Sequence, residues 1–228
     1  MAKAIRPCFY VVEKAPYVKF ENVEFEYFSG FAKSQKEKSV KSFLNSAKAK
    51  FKSDKILEIS KASPLDLGQN LSAFNLQLTL KNENGENIKT SVERFFQGSK
   101  VFERGGAYHE IIYDEKIHPK KYEKLKNSGN FVGFKLFGVE YSTEPKTYFY
   151  DWLYINALLQ NSHLSDKICE FEYFSDIEFN PKKSFSSQSK SASLFYAMKK
   201  YDLLKENFAN AEVFLKFMQK IYKPNTLF

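Results

Sequence analysis

Between Ala73 and Arg104 the apolar side chains switch from a period of two to the period of a helix, and no other feature constrains the fold as much. Phe74, Leu76, Leu78 and Leu80 alternate with other residues and share one face of an expected strand over residues 73–80. Residues 82–87, with Gly85 among them, supply a turn, and residues 88–91 return as the second strand of a β-hairpin. Ser91 fits as the N-cap of the helix that the hairpin delivers.

At about 100° per residue on that helix, Glu93, Gln97, Lys100 and Arg104 fall in one narrow stripe. Phe95, Ser99 and Phe102 point the other way, toward a core. An acid, an amide and two cations in line suit cleavage of a glycosidic bond in an anionic substrate. The acid assists water while the cations hold phosphates. A solvated helix surface predicts the same stripe. Gly105 and Gly106 break the helix, either to let backbone approach a ligand or, the simpler reading, to make a tight turn.

Elsewhere, residues 6–12 and 23–27 read as strands, and residues 34–51 as a helix with Val40, Phe43, Leu44 and Ala47 inward. Its other face and end carry Lys36, Lys38, Lys41, Lys48, Lys50 and Lys52, a solvated surface or a rail for phosphates. A short strand at 55–60, a loop at 63–70 and a short charged helix at 119–127 come next. An aromatic-rich helix spans 149–160, and alternation resumes at 174–179, where Asp176 and Glu178 share a face. Such a pair can perturb each other's pKa and act as acid and base, although an exposed strand face gives the same pattern. A serine-rich loop at 184–193 leads into helices at 192–201 and 211–222. No repeat and no separating linker is visible, so one α+β domain over 1–228, with helices predominating, is expected.

With 228 residues, 43% of them hydrophobic, the chain can bury one sizeable core. No apolar run reaches a membrane span and no leader opens the chain, so the cytoplasm is the expected location. Cys8 and Cys169 lie far apart and read as buried free thiols. His109, His118 and His163 are isolated, so no metal motif arises. The net charge of +8 permits an anionic partner, but nearly all of it is lysine, with only Arg6, Arg94 and Arg104 as arginines. No phosphate-binding glycine loop, dinucleotide fingerprint, zinc-protease helix or nucleophile elbow is present, which removes support for kinase, dehydrogenase, zincin and α/β-hydrolase readings.

Val92-Glu93-Arg94-Phe95-Phe96-Gln97-Gly98-Ser99-Lys100 resembles the V-E-H-x-F-Q-x-x-K helix of the NADAR/YbiA-like N-glycosidases. Leu71-Ser72-Ala73-Phe74 resembles the small-residue segment before that helix, and Tyr150-Asp151-Trp152 the D-W that opens a later one. The resemblance is concentrated in residues 71–180. Residues 149–158 and the stretch Asp176-Ile177-Glu178-Phe179-Asn180-Pro181-Lys182-Lys183 resemble the branch paired with DarT-type DNA ADP-ribosyltransferase toxins. Arg94 departs from a histidine common in the wider family, and Ala73 from an asparagine.

The resemblance implies a YbiA-like single domain, mainly helices around a small sheet. It implies a hydrolase that removes ADP-ribose from guanine in single-stranded DNA, an antitoxin reversing a DarT-type toxin in DNA repair and phage defence. ADP-ribosylated guanine, single-stranded DNA and the toxin are then its partners, with no cofactor, metal or membrane. Glu93 and Lys100 become the expected catalytic residues. Phe74, Gln97, Arg104, Trp152, Asp176, Glu178 and Asn180 become expected substrate contacts, with Trp152 either stacking on a base or serving as an ordinary core residue. Lys100 can hold a phosphate, or attack the anomeric carbon and form a Schiff base. Two other readings remain open: the same reaction on phosphorylated ribosylamino-pyrimidines of riboflavin synthesis, and non-catalytic binding of ADP-ribosylated DNA or of the toxin.

Overall fold

The computed structural model describes residues 2–30, 32–182 and 184–222, so Lys183 of the stretch quoted above lies outside the described residues. The chain opens with strands β1 (Ala2–Val11) and β2 (Val18–Tyr27), helix α1 (Lys33–Phe51), strand β3 (Ile56–Glu58) and a short helix α2 (Asp66–Asn70). Then come β4 (Gln77–Lys81), β5 (Asn87–Ser91), α3 (Val92–Gly98), β6 (Lys100–Phe102) and β7 (Gly105–Gly106). Helices α4 (Glu110–Tyr113) and α5 (Lys124–Asn127) precede β8 (Phe131–Leu136), β9 (Val139–Tyr141), α6 (Tyr148–Gln160) and α7 (Ser162–Ile168). Strand β10 (Tyr173–Ser175) and helices α8 (Gln188–Lys200) and α9 (Ala211–Tyr222) end the mixed α+β chain. Two compact units result: Met1–Ser72, Ser162–Asn207 and Ile221–Phe228 in one, Ala73–Asn161 and Phe208–Lys220 in the other.

In the first unit the sheet order is β2-β1-β10-β3. β1 and β2 form a long antiparallel pair from Ala2↔Tyr27 to Val11↔Val18, longer than the two expected strands. β10 runs antiparallel to β1 and parallel to β3, with Tyr173 opposite Ile56. The apolar face of α1 buries Val40, Phe43 and Ala47 with Cys8, Val23, Phe25 and Ile177. A side chain such as Phe43 contributes roughly 1.5–3 kcal/mol by leaving water. The outer face is less free than its lysines imply: Lys36, Lys48 and Lys50 pair with Glu178, Asp54 and Glu21.

The expected loop at 63–70 contains α2, seated so closely that a Cβ on Gly68 would lie 2.0 Å from the Glu58 carbonyl oxygen. The expected serine loop at 184–193 gives way to α8 from Gln188 onward. Ser191 and Ser193 donate their hydroxyls to the carbonyls of Ser187 and Ser189, so these polar side chains are satisfied inside a buried helix. Cys8 is buried and Cys169 is exposed, both as free thiols, whereas burial was expected for the two.

The second unit is built on α6, where every residue from Tyr148 to Leu158 is buried. A helix apolar on all sides belongs inside a core. Tyr148 stacks on Phe214 of α9 and donates its hydroxyl to the Ala211 carbonyl at 2.8 Å. The expected hairpin is present as β4 and β5, with Gln77 opposite Ser91, but β4 starts at Gln77 and Phe74 lies in the turn before it. A second antiparallel sheet has the order β7-β6-β8-β9, with Lys100 opposite Phe134. Among the described residues no helix is long and apolar enough to cross a membrane.

Candidate active site

The hairpin sets the first turn of α3. Ser91 accepts a hydrogen bond from the Arg94 N–H on its side-chain oxygen at 3.4 Å, as the N-cap reading requires. The Val92 and Glu93 N–H groups donate to the carbonyls of Leu76 (3.0 Å) and Ala73 (2.8 Å), so the strand entry is tied to the helix start. Val92 and Phe95 are buried, and this packing turns Glu93 inward as well, leaving it 3% exposed. One turn on, Gln97 donates its amide to Glu93 Oε1 at 2.7 Å and is itself buried. The pair is therefore not the solvated helix face that the stripe also allowed.

The stripe itself is corrected beyond Gln97. α3 ends at Gly98, and Lys100 opens β6, because pairing with β8 takes over from the helical period. Its Nζ lies 4.6 Å from the centre of the Phe96 ring, in cation–π contact. Burial pulls the Lys100 pKa down to about 8; nearby Glu93 pulls it up and Lys120 pushes it down. Arg104 is exposed beyond the strand and donates to the Asn127 carbonyl at 3.1 Å, so it is not aligned with Glu93 on a helix. Gly105 and Gly106 do not close a helix with a tight turn: they form β7, paired with β6, and a Cβ on Gly106 would meet the Lys100 carbonyl oxygen at 2.4 Å.

Lys120, which sequence reasoning did not select, joins the cluster. Lys120 sits in a turn where a helix was expected, with Nζ 3.6 Å from Glu93 Oε1 and 4.9 Å from the Phe74 ring centre. The Phe74 ring is also 5.9 Å from the His118 ring. Arg94 donates through Nη1 to the carbonyls of Ile111 and Asp114, and through Nη2 to those of Glu115 and Ile117. The Pro119-Lys120-Lys121 run was visible as charge, but its return to Glu93 is a tertiary contact with no local signal. Phe74, Glu93, Gln97 and Lys100 are thus brought together around Lys120.

Trp152 is packed in the core of the second unit. It is 4% exposed, its ring lies 5.3 Å from that of Tyr141, and its indole N–H donates to the Phe208 carbonyl. Its edge meets a cavity of about 530 Å³ that Lys81, Glu83, Tyr141 and Glu212 also line.

Asp176, Glu178 and Asn180 belong to the first unit. The expected strand at 174–179 stops at Ser175, so Asp176 and Glu178 do not share a strand face. Asp176 is buried and accepts the N–H groups of Glu178 and Phe179 in a turn, while exposed Glu178 pairs with Lys36 at 2.6 Å. Asn180 accepts the Lys182 N–H at 3.0 Å. A second buried acid of this unit, Glu58, accepts the Ser175 hydroxyl and the Ile177 N–H; burial pushes its pKa up. No group of three or more potential metal ligands occurs among the described residues.

A buried carboxylate and an amide bonded to it on a short helix, a half-buried amine on the strand after it and a covering cation from a turn make an acid-and-amine cluster on an α+β scaffold. The family model for DarT1-associated NADAR antitoxins matches residues 4–227, and the chain belongs to that family. Its role is accordingly that of an antitoxin associated with a DarT toxin. No curated protein matches the chain.

Proposed function

We propose that this antitoxin is an N-glycosidase that removes ADP-ribose from guanine in single-stranded DNA, with Glu93 and Lys100 at the reacting carbon. The observation that carries the reading is a buried Glu93 near enough to the half-buried Lys100 amine to act on its charge, while burial draws the Lys100 pKa down to about 8. Such an amine is partly neutral near physiological pH and is a competent nucleophile. Its lone pair attacks the anomeric carbon as the bond to the guanine nitrogen breaks, and the base leaves with that electron pair. Glu93 takes a proton from the attacking nitrogen and returns it to the departing guanine. Ring opening then gives a Schiff base, and water hydrolyses it to free ADP-ribose and the Lys100 amine. Gln97 holds the carboxylate oriented for both transfers. Lys120, exposed at the edge of the cluster, supplies charge for the diphosphate.

Borohydride tests the covalent step. Added during turnover of an ADP-ribosylated oligonucleotide, it reduces the Schiff base, and peptide mass spectrometry should find ADP-ribose fixed on Lys100. Turnover with no adduct on any lysine contradicts attack by Lys100 and leaves Glu93 activating water as the route.

A further inference from the structure

The four carbonyls gathered by Arg94 lie on the segment that leads directly to Lys120. The guanidinium bridges Ile111 and Asp114 through one nitrogen and Glu115 and Ile117 through the other, at 2.8–2.9 Å for the last three. On the far side of Lys120, Tyr122 and Lys124 donate to Glu110 at 2.7 and 3.0 Å, which closes the segment onto the helix where it began. Between these anchors the Lys120 N–H donates to His118 Nδ1 at 3.2 Å, and the Lys121 N–H to the His118 carbonyl at 3.0 Å. Only Lys120 of this turn reaches Glu93. Arg94 is also the helical neighbour of Glu93, so one element holds both the acid and the tether of the cation that covers it.

We propose that Arg94 is a positioning residue that seats Lys120 over Glu93 as a phosphate-binding cation. Taken alone, four carbonyl bonds describe a structural staple; what directs the staple to the site is that its segment ends in the turn whose Lys120 pairs with the Glu93 carboxylate. The geometry is specific to a guanidinium. A lysine in its place keeps the charge but offers a single donor head, which cannot span carbonyls approached from two nitrogens. The ligand half of this proposal rests on the N-glycosidase reading; the tether half does not.

Hydrogen exchange separates the two halves. In Arg94→Lys, amides of residues 111–121 should exchange faster while those of α6 keep their protection, showing that the core is intact. Unchanged exchange at 111–121 would overturn the tether. Calorimetry with free ADP-ribose then compares wild type, Arg94→Lys, Lys120→Ala and the double variant. Each single change should weaken binding by about tenfold, as loss of a charge-assisted hydrogen bond does, and the double variant should bind no worse than Lys120→Ala. Additive losses would mean that Arg94 acts independently of Lys120. Lys120→Ala alters an exposed side chain, so full affinity in that variant overturns the cation's role without any question of folding. If wild type does not bind ADP-ribose, the ligand assignment falls together with the parent reading, while the exchange result still decides the tether.

Discussion

Lys100 carries the most informative single property of the site. Its pKa lies near 8 against an ordinary 10.5, with burial as the leading cause. As a nucleophile it must be neutral, so the rate should rise with pH and level off above about 8; as a phosphate-holding cation it would give a rate that falls over the same range. A pH–rate profile of the chemical step distinguishes them, and Lys100→Arg, fixed as a cation, should lose the activity. Stability follows by linkage. The folded pKa is depressed, so between about 8 and 10.5 the unfolded chain binds more protons, and stability rises with pH through that window. Urea unfolding at a series of pH values should show this slope in wild type and a shallower one in Lys100→Met. Glu93 and Gln97 were legible in the sequence because residues four apart on a helix must meet. Lys120 was not, because the turn that brings it to Glu93 depends on Arg94 gathering carbonyls from another segment.

The hairpin and the short helix form the element that presents the acid, and here sequence and structure agree on order and on the Ser91 cap. They part at Gly98. Lys100 keeps helical spacing relative to Glu93, yet Lys100, Val101 and Phe102 pair with β8, and sheet pairing outweighs a local periodic preference. The same competition shortens the expected strand at 174–179, since Asp176 bonds to the backbone ahead of it and closes a turn. Gly106 is where the element scale meets the site. Its φ of +96° and the 2.4 Å approach of a Cβ to the Lys100 carbonyl oxygen leave no room for alanine. Gly106→Ala should cost roughly 1–3 kcal/mol of stability by overpacking. It should also lower activity more than thermal shift alone explains, because β6 must move. Thermal unfolding and turnover measured on the same preparation check this.

At the scale of the whole molecule, one family model spans residues from both units, and the α+β class was readable from the mixture of two periods along the chain. The sheet of the first unit was not, because β3 pairs in parallel with β10 across about half of the sequence and no local signal records that contact. The basic helix α1 also reads differently in three dimensions. Four of its lysines, Lys33, Lys36, Lys48 and Lys50, pair with carboxylates, so the helix is a weaker candidate for a DNA surface than its composition implies. Lys38→Glu with Lys41→Glu should therefore change the affinity for a single-stranded oligonucleotide by less than about twofold at 0.15 M salt, where exposed charges are largely screened. Fluorescence anisotropy against wild type measures it.

The central claim is that the Glu93 cluster breaks the bond between ADP-ribose and guanine. The most direct measurement follows free ADP-ribose by mass spectrometry after incubation with a single-stranded oligonucleotide ADP-ribosylated on guanine, with wild type and Glu93→Gln side by side. Release by wild type and a fall of at least about a hundredfold in the variant, at unchanged thermal stability, is the result the account predicts. Equal release by both proteins, or none by wild type, would contradict it.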